Sequence, residues 1–143
     1  MAPDRRGPFR RGAFGRLLFV GTIAVFALSV LVQAFLAGDA AILAPEMWQR
    51  HIAWVHIFQW FSVVLPVAAH LAGHRIGFTV LNCLPMVMIG LQYMLIHIAI
   101  NHGKVTFAGL HAVAGVLLFG VLVFVFQEWR HRVSAGFDEP LRE

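Results

Sequence analysis

Charge is scarce in this chain. Only 13% of its 143 residues are Asp, Glu, Lys or Arg, while 59% are hydrophobic. A soluble domain of similar length carries about a quarter charged residues, so there is too little polar surface here to cover a body facing water. Cysteine is almost missing as well. The single Cys83 excludes an internal disulfide, leaves the redox compartment unread, and reads as an inert apolar-run residue. There is no internal repeat, no glycine-rich phosphate loop and no HExxH zinc motif. No catalytic motif of any other kind stands out. Carboxylates are absent from the middle of every apolar run, because Asp39, Glu46 and Glu128 all stand at run ends. That absence weighs against a small ion- or proton-driven transporter, which uses ionisable groups inside the membrane.

What remains is apolar sequence in four lengths. About 20 apolar residues cross roughly 30 Å of hydrocarbon. Four segments qualify: residues 16–37, 49–72, 76–100 and 105–129. Residues 1–15 read as a basic flexible tail and 133–143 as a polar C-terminal tail around a four-helix domain spanning 16–132. The first run is too long for the hydrophobic part of a secretory signal, usually about 7–15 residues, so it reads as a retained span. The turns around Gly73-His-Arg75 and Asn101-His-Gly-Lys104 are short and force antiparallel neighbours. The expected fold is therefore all-α, an integral membrane up-down four-helix bundle. Pro66 and Pro85 should bend the second and third spans.

Positive charge sets the expected orientation. Arg5, Arg6, Arg10, Arg11, Arg16, Arg75, Arg130, Arg132 and Arg142 fall at one end of such a bundle, and only Arg50 and Lys104 at the other. The positive-inside rule then places both termini in the cytoplasm. The partner of this charge is the lipid bilayer rather than nucleic acid.

Polar side chains within the spans are the candidate functional residues. Thr22, Phe26, Ser29 and Gln33 share one helical face of the first span. Ile52, His56, Gln59, Val63, Val67 and His70 share a face of the second. His111, Gly115, Leu118, Leu122 and Val125 share a face of the fourth. These are the expected inward faces. Gln92 and His97 of the third span are about 140° apart, so both cannot point at the centre. His56 and His111 each lie six residues inside their spans, at matching depth.

Two imidazoles at one depth suit the two faces of a haem iron. Gly109 and Gly115, with Ala108, Ala112 and Ala114, leave room for a flat macrocycle beside His111. Gln33, Gln59, Gln92 and His97 form the polar surroundings that could orient the rings. The expectation is one haem b, axially ligated by His56 and His111, for electron transfer or redox sensing near the outer leaflet. A second haem would need a ligand 14 residues after His111 to match His70, and that position is Val125. His70 and His74 read instead as interfacial histidines beside Arg75. The competing reading is a structural or accessory subunit, with no cofactor, whose histidines and amides bond neighbouring helices. It would work with another membrane protein or as a homo-oligomer.

Val32-Gln-Ala-Phe-Leu-Ala-Gly38, His56, Leu91-Gln92 and Leu110-His111-Ala-Val resemble a family of small bacterial four-span membrane proteins, a domain of unknown function. The resemblance implies the bundle and a place in the bacterial inner membrane, and carries no assigned activity. The Ile-Phe-Gln-Trp after His56 is bulkier than the family's small-residue pattern. A looser fold-level similarity is to one half of haem A synthase, with histidines on its second and fourth spans. The residues before His56, His-Ile-Ala-Trp-Val, lack that enzyme's acid-His-Arg pattern, so only the bundle and the histidine placement follow.

Overall fold

The computed structural model describes residues 7–42 and 44–135. Six α-helices and one short 3-10 turn make up the described chain, and among the described residues there is no strand. The helices are α1 (Gly7–Ile42), α2 (Trp48–Phe58), α3 (Phe61–Leu71), α4 (Ile76–Leu81), α5 (Leu84–His102) and α6 (Val105–Ser134), with the 3-10 turn at Pro45–Met47. They join into four helical stretches long and apolar enough to cross a membrane: Ala13–Ile42, Pro45–Leu71, Ile76–His102 and Val105–Ser134. Such stretches become helices because only internal hydrogen bonds satisfy the backbone in hydrocarbon.

The first helix exceeds its expected length at both ends. It reaches back to Gly7, into the segment read as a tail, and on to Ile42. The link to α2 is thereby reduced to little more than the Pro45–Met47 turn. Residues 1–6 of the tail, and the C-terminal tail beyond Ala135, lie outside the described residues.

The second stretch is broken in its middle and the third near its start. α2 ends at Phe58 and α3 begins at Phe61, upstream of Pro66, which cannot donate to the Ser62 carbonyl. The chain tightens there, with Ser62 N–H donating to Gln59 O and Val63 N–H to Trp60 O, each at 3.1 Å. The Ser62 hydroxyl also donates to Gln59 O at 2.6 Å. α4 stops at Leu81, and Pro85 sits in the first turn of α5, where a missing N–H costs least. Asn82 lies in that second break, fully buried, and its amide donates to Phe78 O at 2.7 Å. Gly103, at φ +63°, ends α5 in the left-handed conformation that lets the chain turn sharply into α6.

Contacts at both ends fix an alternating up-and-down course. At the end carrying the termini, Phe19 of α1 packs against Phe78 and Trp129 with ring centroids 5.7 and 5.9 Å apart. His74 joins this cluster, buried between Phe19 and Phe78, whereas His70 is exposed. The two histidines thus differ in burial, although both stand at this end of the bundle. At the opposite end, the Trp54 indole N–H donates to Ser29 O at 3.0 Å. Trp54→Phe is expected to destabilise the bundle by about 1 kcal/mol through this lost bond, read from reversible unfolding in mixed micelles.

α1 packs on α2, α3 and α6, and α5 packs on α6 and, less closely, on α3. The second and fourth stretches are therefore the diagonal pair. The core runs through Phe19, Ile23, Phe26, Phe58, Leu65, Ala69, Leu118, Leu122 and Val125. The expected inward faces of the first and fourth stretches are the observed ones, with Phe26 and Val125 at 0% exposure. That of the second is not. Ile52, Val63 and Val67 are 46%, 43% and 53% exposed, and His56 and His70 are exposed too. Phe58, Ser62, Leu65, Ala69 and Ala72 are buried instead. Polarity is a poor guide there. Small residues and one phenyl ring allow α1 and α3 to approach closely, and that packing selects the face.

Candidate functional site

The end of the bundle opposite the termini carries the polar residues singled out above. At 1.5 Å per residue, His56 lies about 12 Å into α2 and His111 about 9 Å into α6. Both side chains meet α5, at adjacent residues. The Nδ1 of His111 is 3.1 Å from the backbone carbonyl of Gln92. A carbonyl only accepts, so Nδ1 carries the proton and Nε2 presents a lone pair. The Nδ1 of His56 is 3.4 Å from the hydroxyl of Tyr93, which itself donates to Gln59 Oε1 at 2.9 Å. Here too Nδ1–H is the group that can donate, and Nε2 is the nitrogen left over. Gln59 closes the loop by donating its amide to His56 O at 3.2 Å.

Tyr93, the single tyrosine of the chain, is the residue that sequence reasoning passed over. Its hydroxyl ties α5 to α2 through both Gln59 and His56. The signal that could have found it is a lone phenol deep in a span, one residue after Gln92. Tyr93→Phe leaves the Gln59 acceptor without its donor. We expect a loss of about 1–2 kcal/mol in reversible unfolding.

Gln92 is buried. Its amide nitrogen is 3.3 Å from where a Cβ on Gly115 would stand. Gly115 thus leaves room for the Gln92 side chain. Gly109 is different, since a Cβ there meets nothing within 4 Å. Ala108, Gly109 and Ala112 are exposed beside the half-buried His111.

Gln33 stands apart from His56. Its amide is 2.9 Å from Nε2 of His51. The outer atoms of the Gln33–His51 pair, Gln33 Oε1 and His51 Nδ1, are buried without a hydrogen-bond partner. His97 is exposed on α5 and pairs with Asn101 one turn on, whose amide nitrogen is 3.0 and 2.8 Å from its two ring nitrogens. Among the described residues no group of three or more His, Cys, Asp or Glu is placed to hold a bare metal ion.

The described residues are therefore helical, with four stretches long and apolar enough to cross a membrane and a polar layer toward the end opposite the termini. Residues 33–100 match the model of a family of unknown function, DUF6220. The match takes in Gln33, His51, His56, Gln59, Gln92, Tyr93 and His97, and ends before His111. It agrees with the expected resemblance to a family without an assigned activity. No curated protein and no solved structure matches the chain.

Proposed function

We propose that this is a multi-pass membrane protein that holds one b-type haem between His56 and His111 and serves in electron transfer or redox sensing. One observation carries the reading. Each of the two rings is anchored through Nδ1, one on a carbonyl and one on a phenol, so each keeps Nε2 for an iron. Iron-bound histidines characteristically donate their other nitrogen in this way, which fixes the ring and raises its basicity.

The residues present fit the group. The open flank at Ala108, Gly109 and Ala112 leaves room beside His111, and Trp60 is 64% exposed, so it does not fill the space between the spans. His56 and His111 would hold the iron through Nε2, with Gln92 O and the Tyr93–Gln59 pair setting their orientations. A haem so held supplies reversible one-electron chemistry. The excess of Arg at the termini supports a cytoplasmic position for both, a site in the outer leaflet, and a place in a bacterial inner membrane.

A second reading also has an observation in its favour. His56, His70 and Val67 are exposed along one face of the second stretch, and ionisable groups facing lipid are costly. A neighbouring chain covering that face would make this protein an accessory subunit without a cofactor. Haem analysis separates the two. Protein purified from cells well supplied with haem should carry about one haem per chain. Protein with no haem under those conditions leaves the accessory reading standing alone.

A further inference from the structure

A groove of about 440 Å³ lies on the outer side of α5, lined by Tyr93, Met94, Ile96, His97, Ile100 and Asn101. We propose that it binds an isoprenoid quinone, as quinone or quinol. The lining has two characters. Met94 and Ile100 are 53% and 73% exposed and give an apolar wall open to the surroundings. Tyr93, His97 and Asn101 add neutral hydrogen-bonding groups to that wall, and no Lys, Arg, Asp or Glu lines it. A charged phospholipid headgroup finds no counter-charge here. A neutral ring with oxygens at its edge and a hydrocarbon tail finds both of its parts matched.

The hydrogen bonding is specific to such a ring. The Asn101 amide stands near both nitrogens of His97, and it donates to whichever one is unprotonated. The other carries the N–H in either neutral tautomer. A quinone carbonyl accepts from that N–H, and a quinol hydroxyl donates to the Asn101 carbonyl. Tyr93, 6.3 Å from the His56 ring between centroids, supplies an aromatic face for stacking. It also joins the groove to the proposed haem ligand, although quinone binding does not depend on the haem.

The test is calorimetric titration of the purified protein in detergent with a ubiquinone analogue bearing a ten-carbon tail. Wild type should bind saturably. His97→Leu should weaken binding at least tenfold, and Ile100→Trp, which fills the groove from an exposed position, should abolish it. Gly21→Ala, on α1 away from the groove and with open space for its Cβ, should bind as wild type does. Linear partitioning in wild type, equal binding in all four proteins, or displacement by phosphatidylcholine at equal concentration would overturn the proposal. Saturable binding by haem-free protein fails the haem reading alone. A haem-loaded protein with no saturable binding fails this inference alone.

Discussion

Gly15→Ala is expected to destabilise the bundle by about 2–3 kcal/mol, although alanine is the better helix former. The first and second stretches cross at Gly15. A Cβ there runs into the backbone of Leu71 and Ala72, which cannot rotate away as a side chain would. Dispersion between close backbones, rather than expulsion of water, holds helices together in lipid. Separating these two helices by even a methyl group weakens every contact on both sides of the crossing. Gly21→Ala is the control on the same helix. A Cβ at Gly21 meets nothing within 4 Å, so that substitution should be neutral or gain up to about 1 kcal/mol from helix propensity. Unfolding of both variants in mixed micelles should show opposite signs. Equal small effects would mean that the helices do not cross here.

The second large effect is expected at His111. His111→Ala should lower haem content by at least about tenfold, the scale on which even the partners of a metal ligand act, while costing the fold only about 1–2 kcal/mol for the lost bond to Gln92 O. The side chain is half-buried at an open flank, so its removal leaves no sealed cavity. Haem loss with retained helicity and a monodisperse elution profile is the expected outcome. Unchanged haem content would remove His111 from the site.

Much of the fold was legible in the sequence. Four apolar runs and two very short turns dictate four antiparallel helices, and the small 3- and 4-residue steps of Thr22, Phe26 and Ser29 mark a buried face correctly. The second stretch shows why such reasoning fails. His56, Gln59 and His70 looked inward because polar groups avoid lipid, yet the packing of Ala68, Ala69 and Ala72 near Gly15 decides which face turns in. Close approach between backbones depends on the partner helix, which a single helical pattern does not contain. The helix breaks were visible as prolines, but they fall upstream of Pro66 and Pro85 because the missing N–H acts on the preceding turn.

The candidate site was legible only in part. Matching depth singled out His56 and His111; they lie about 12 and 9 Å into their helices, and both meet α5. Gln33 meets His51 of α2, a contact between helices that spacing within one span does not contain. Tyr93 went unnoticed because its importance lies in a contact between helices 34 residues apart in sequence.

The most direct test is a reduced-minus-oxidised absorption spectrum of the purified protein, recorded beside His56→Ala and His51→Ala. Two histidine ligands predict a sharp α-band in wild type, lost or shifted in His56→Ala and retained in His51→Ala. A colourless wild-type protein from haem-supplied cells, or a band that survives without His56 and vanishes without His51, would contradict the account.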